Sequence, residues 1–243
     1  MDETLKAPTR ALAGGDAEAG AERIAQLVQS QVVSLDAVKS LAALGNPAAA
    51  SALRARSEGW EALVTTKQLQ KQVAAAQPLL EEGFEVRELS FKGTPVAGLQ
   101  HLSKLSGLRR LVLSSSVKEA SLKHLKKLGA LTDLDLSELA LTDAGVGLVA
   151  ELKGLRRLRL GRPELSAEGL AQLAGLDALE ELQLGGEAFS PEGLAVLGAL
   201  PSLERLSLED AFKLGPEALA HLEGLASLRE LSLDSCYELT DEG

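Results

Sequence analysis

Among 243 residues there is one cysteine, Cys236, one tryptophan, one tyrosine and four phenylalanines. A single thiol excludes an internal disulfide framework and any cysteine-based zinc cage, and a lone cysteine is more often a small buried hydrophobe than a nucleophile. The three histidines form no HExxH or comparable pair. Gly14-Gly15 and Gly185-Gly186 lack the glycine and lysine that complete a phosphate-binding loop, and Gly-x-Ser-x-Gly is missing. Carboxylates are plentiful, but nothing in their surroundings supplies the apolar pocket and raised pKa of acid–base chemistry. These absences predict a chain that is not an enzyme and uses no metal or cofactor. No apolar run approaches the ~20 residues needed to span a bilayer, and the opening MDETLKAPTRALAGGD has no uninterrupted apolar stretch of the kind a secretion signal carries. The expected location is therefore the cytoplasm.

What the chain does have is a repeat. From Val86 it falls into seven lines opening VRELSF, LRRLVL, LTDLDL, LRRLRL, LEELQL, LERLSL and LRELSL, at residues 86, 108, 131, 155, 179, 203 and 228. Six of the seven read Leu-x-x-Leu-x-Leu, at spacings of 22 to 25 residues, a regularity that composition alone does not produce. Further apolar positions recur behind each opening. In the fourth line the full set is Leu155, Leu158, Leu160, Leu165, Leu170, Leu173 and Leu176; in the fifth, Phe189 stands where Leu165 stands. The alternation at the front of each unit predicts a strand, and the three-residue spacing at its back predicts a short helix or 3₁₀ segment. TDAG at 142, SAEG at 166, SPEG at 190 and GPEA at 215 place a Thr, Ser or Gly at an N-cap, with Asp, Glu or Pro in the first turn.

An array of such units resembles leucine-rich repeats, specifically the bacterial kind of about 24 residues. The resemblance covers Val86 to Gly243, with the seventh unit incomplete, and implies an α/β right-handed solenoid. Its parallel sheet would line a concave face used for protein recognition. One feature departs from the family: the Asn that follows many such strands is replaced by Thr94, Ser116, Leu139, Pro163, Glu187, Ala211 and Cys236. No continuous Asn ladder is therefore expected.

Ahead of the array, residues 1–83 read as an α-helical N-terminal region, with the array occupying 84–243. Asp16 can cap a segment carrying Ile24, Leu27 and Val28, and Ser34 one carrying Leu35, Val38 and Leu41. Gly45-Asn46-Pro47 supplies a stop, a cap and a first-turn proline for an Ala-rich third helix, and Trp60–Glu82 holds one or two more, interrupted at Pro78. SLAALGNPAAASAL is similar to HEAT-like helical pairs. A solenoid's first coil exposes an apolar face, so these helices are expected to cap it. A separate docking domain is the alternative.

Charge supplies the candidate contacts. Residues 86–162 hold 14 Lys and Arg against 7 Asp and Glu, a balance of +7; residues 163–243 hold 3 against 17, a balance of -14. Such polarity can steer a complementary partner or favour contact between copies. On the concave face the third strand position runs Glu88, Arg110, Asp133, Arg157, Glu181, Arg205 and Glu230, every neighbour opposite in sign. Those arginines should be neutralised across the rungs, ~4.8 Å apart. Arg109, Arg156, Arg159 and Arg162 remain as candidate protein-binding residues. The pI near 4.9, the intervening Asp133 and Asp135 and the scarcity of aromatics for base stacking argue against nucleic acid. The expected function is a non-catalytic protein–protein interaction module for a partner with an acidic surface, without membrane or cofactor. The alternatives are end-to-end self-association or regulation of a GTPase or other enzyme.

Overall fold

The computed structural model describes residues 32–34, 61–63, 87–91, 98–161, 165–185, 191–210, 215 and 219–236. Strands β1 (Val32–Ser34), β2 (Glu61–Leu63), β3 (Glu88–Ser90), β4 (Arg110–Val112), β5 (Asp133–Leu136), β6 (Arg157–Leu160), β7 (Glu181–Gly185), β8 (Arg205–Glu209) and β9 (Glu230–Ser232) form one sheet. Spatial order is chain order, and every pair is parallel. Each strand from β3 to β8 is followed by a helical return. These returns are 3₁₀ segments η1 (Leu99–Lys104) and η2 (Glu119–Lys127), helix α1 (Asp143–Val149), helix α2 (Ala167–Ala171) running into η3 (Gln172–Gly175), helix α3 (Pro191–Leu197), and η4 (Ala220–Leu222). One strand, one turn and one helical return per unit make the coil of an α/β leucine-rich repeat solenoid.

The register follows from the leucines. Leu111, Leu134, Leu158, Leu182, Leu206 and Leu231 pair rung by rung. Slipping a strand by one residue would expose this row, so burial fixes the register. The seven apolar positions of the fourth unit, Leu155 through Leu176, are all buried, and Phe91 fills the site that leucines occupy in later coils. Leu231, on the last described strand, is the exception at 42% exposure. A second backbone regularity ties the coils together. The carbonyl at position two of each opening accepts the N–H groups of positions two and three in the next: Arg87 from Arg109 and Arg110, and Thr132 from Arg156 and Arg157, all at 2.7–2.9 Å.

Where an Asn ladder would run, the chain uses other means. Leu139 is buried, and its N–H donates to the Leu136 carbonyl at 2.9 Å. Cys236 is buried too, its thiol within 3.7 Å of the Leu208 carbonyl of the preceding coil. Thr94, Pro163, Glu187 and Ala211 lie outside the described residues, as does Phe189.

The helical reading of Trp60–Glu82 fails at Glu61–Leu63, which is strand β2 and pairs with both β1 and β3. Val32 pairs with Glu61 and Glu61 with Glu88, so these two units are 29 and 27 residues long. Ser30 and Gly59 stand at position one, where the later units carry an apolar residue, which hides both strands from a leucine count. Sheet pairing here overrides the helix-favouring composition around them. The other helices expected within 1–83 lie outside the described residues.

Candidate functional site

The open face of the sheet is built from strand positions two, three and five, which alternate with the buried leucines in β5, β6, β7 and β8. At position three the sign alternation becomes a set of ion pairs. Arg157 bonds Asp133, Arg205 reaches Glu181 at 3.3 Å and Arg110 lies 4.0 Å from Glu88. The Asp133 hydrogen bond raises the Arg157 pKa, with burial opposing it and the Coulomb fields of Asp133, Glu181 and Glu180 adding to it, so this guanidinium stays charged throughout the physiological range. Position five continues the polar surface, with Gln183 donating to Glu209 at 2.7 Å. The face is thus largely satisfied by its own chain.

The four candidate arginines separate on this point. Arg156 is bonded to Glu180, its position-two neighbour. Arg159 lies between two acids, 3.8 Å from Asp135 on its own row and 3.4 Å from Glu181 on the diagonal. Rung-by-rung reading of the sequence finds Asp135 and misses the diagonal, which a long side chain can bridge. Arg162 lies outside the described residues. Arg109 is exposed, and its guanidinium has no ion-pair partner among the described residues. Its row neighbours are Arg87 and Thr132, neither of them acidic.

On the helical side the cap motifs do more than begin a helix. Glu119, first residue of η2, accepts both the backbone N–H and the hydroxyl of Thr142, at 2.9 and 2.8 Å. Asp143, first residue of α1, does the same for Ser166, at 2.9 and 2.6 Å. Ser166 in turn accepts from the Gly169 N–H at 3.1 Å, as an N-cap should, whereas Thr142 makes no such bond. An acid in one coil therefore anchors the cap of the next. The glycines of TDAG and SAEG make room for it: a Cβ on Gly145 would lie 2.0 Å from Glu119 Oε1, and one on Gly169 would lie 1.8 Å from Asp143 Oδ1. The recurrence of Gly three residues after the cap in TDAG, SAEG and SPEG is the sequence signal for this arrangement.

The histidines occupy one kind of place, in η1 (His101), η2 (His124) and η4 (His221). Among the described residues no group of three or more His, Cys, Asp and Glu is placed to hold a metal ion, and no helix is long and apolar enough to cross a membrane.

No family model and no curated protein matches the sequence. Similar solved structures include internalin InlF from Listeria monocytogenes, with a TM-score of 0.48 and 18% identity over 73% of this chain and 48% of that one. Another is TLR13 in a complex with ssRNA13, with a TM-score of 0.46 and 20% identity over 73% of this chain and 29% of that one. This chain thus spans about half the length of the first and under a third of the second. With its repeating Leu-x-x-Leu-x-Leu openings, one parallel strand per unit and short helical returns, the chain has a leucine-rich repeat fold.

Proposed function

We propose that the open face of the sheet is a non-catalytic protein-recognition surface, meeting a cytoplasmic partner with an acidic patch first at Arg109. The observation that carries this reading is the exposure of Arg109 without an ion-pair partner among the described residues, beside a ladder in which Arg110, Arg157 and Arg205 are each paired. An unneutralised guanidinium can take a carboxylate in bidentate fashion. Arg156 and Arg159 contribute second, since each must exchange a carboxylate of its own chain for one of the partner's, and Arg162 follows Arg159 three residues on in the sequence. Without Tyr or Trp anchors on the strands the contact is charge-led and weakens with salt.

The test is affinity capture with the full-length chain as bait, followed by titration of the captured protein against variants. Arg109→Ser is expected to weaken binding about tenfold, in the range of an ordinary interface arginine. The triple change Arg156→Ser, Arg159→Ser and Arg162→Ser weakens it further. Affinity unchanged in both variants, with circular dichroism intact, overturns the reading.

A further inference from the structure

The helical returns carry charge in a different pattern from the sheet. In the segments 98–108 and 114–128, which leave out the strand residues between them, the chain has five lysines and one carboxylate, Glu119, which is engaged by Thr142. Lys104 at the end of η1, and Lys123 and Lys127 in η2, are exposed and have no ion-pair partner among the described residues. Beyond Lys153, whose ammonium donates to the Gly175 carbonyl at 2.9 Å, the sign reverses. The segments 166–178, 191–202 and 219–228 contain no Lys or Arg, while Glu168, Asp177 and Glu223 are exposed and likewise without an ion-pair partner among the described residues. Helix α1 lies between the two zones and contains no Lys or Arg; it has Ala144 exposed and Gly147 and Leu148 half-buried.

We propose that two copies of this chain pair antiparallel through their helical rows, with the two-fold axis crossing between α1 and α2. A perpendicular two-fold sets the basic η1–η2 zone of each copy against the acidic α2–η4 zone of the other, so one complementarity is used twice and the assembly closes as a dimer. The small residues of α1 let the rows approach beside the axis. This contact uses a different face from the one proposed for partner recognition, and either can fail without the other. The formal net charge of -10 opposes association at long range. Attraction between the zones therefore prevails only when screening has shortened the range of that repulsion. The Debye length is ~10 Å at about 0.1 M salt and ~3 Å at about 1 M. Pairing is strongest near the first condition and is lost toward the second.

Sedimentation equilibrium of the full chain tests this. A concentration-dependent monomer–dimer equilibrium is expected near 0.1 M salt, weakened at least tenfold near 1 M. Lys123→Glu with Lys127→Glu abolishes the dimer, and the reciprocal Glu168→Lys with Glu223→Lys does so from the other side. All four changes in one chain restore it, since the zones are then complementary with signs exchanged. A strict monomer near 0.1 M, a dimer indifferent to either reversal, oligomers that grow beyond two, or failure of the fourfold variant to recover the dimer overturns the proposal. Thermal melting of each variant confirms that the exposed substitutions leave the fold in place.

Discussion

At the third position of the open face the charge changes sign from one strand to the next; along the helical returns lysines gather in two coils and carboxylates in the coils beyond Lys153. The two faces draw on the same residue types, and geometry sets what each arrangement can do. Parallel strands stand ~4.8 Å apart, close enough for a side chain to reach its neighbour on the next rung, so alternation there is consumed as internal ion pairs. Segregated charge on the returns is paired at Lys126 with Glu151, but Lys104, Lys123 and Lys127 have no ion-pair partner among the described residues and stay available to another molecule. A charged residue's meaning in this fold therefore depends less on its identity than on the row it occupies and on the sign one coil away.

The sheet side is the less forgiving of the two, and its closest approach is the place to break it. Gly161 and Gly185 follow the strand leucines of successive coils. A Cβ on Gly161 would lie 1.8 Å from the Ser137 carbonyl oxygen, and one on Gly185 would lie 2.2 Å from that of Gly161. These obstacles are backbone, which cannot swing aside as a side-chain tip can. Gly161→Ala is expected to force adjacent coils apart at a cost of about 2–3 kcal/mol, the range of overpacked cores. In a solenoid such a loss falls on the interface between coils and propagates to both. Gly129 has nothing within 4 Å of its Cβ position, so Gly129→Ala serves as the control and stays within about 0.5 kcal/mol. Urea midpoints for the two variants measure the difference, and equal midpoints would show that the coils yield freely.

The helical side tolerates more but has its own coupling between coils. Asp143 satisfies two donors of Ser166 across one coil boundary. Asp143→Ala removes both bonds and leaves the cap of α2 to water, at an expected cost of about 1–2 kcal/mol, the upper range for a lost cap. Asp143→Asn keeps an acceptor and should cost less than half as much. If the two variants unfold at the same temperature, the carboxylate's two bonds do not hold the cap.

Much of this could be read from residues alone, and the failures have a common cause. The strands from Glu88 onward, the buried leucines and the alternating third row follow from periods of two and about twenty-four, which the residues declare directly. Strands β1 and β2 do not, because Ser30 and Gly59 occupy position one and the pairing that defines these strands is long-range. The second partner of Arg159 is missed for another reason. Treating each row separately finds Asp135 beside Arg159 but omits Glu181, which belongs to the next coil and a different row. The anchoring of Ser166 by Asp143 spans coils in the same way. A first-turn acid beside a cap has a sufficient local explanation in the helix dipole, which conceals its reach into the next coil.

The smallest expected effect bears most directly on the alternating ladder. Arg157→Glu places a third acid between Asp133 and Glu181, and removes a pair whose arginine side chain is 47% exposed. Exposed pairs contribute only ~0.2–1 kcal/mol, and like charges directly opposite cost a similar amount. The sum is a loss of about 1 kcal/mol, half or more of it removed near 1 M salt because the repulsion is screened. Arg157→Gln removes the pair without adding repulsion and separates the two contributions. Its loss should be smaller and nearly independent of salt beyond that of the lost pair itself. If Arg157→Glu and Arg157→Gln are equally destabilising at every salt concentration, sign alternation is irrelevant to the stability of the sheet and the guanidinium acts there through its packing and hydrogen bonds alone. If only the Glu variant shows the salt dependence, the alternation guards against like charges on adjacent rungs. That role fits a parallel sheet whose register is already fixed by buried leucines, and it leaves Arg109, whose row neighbours supply no acid, as the position where the ladder's logic does not apply.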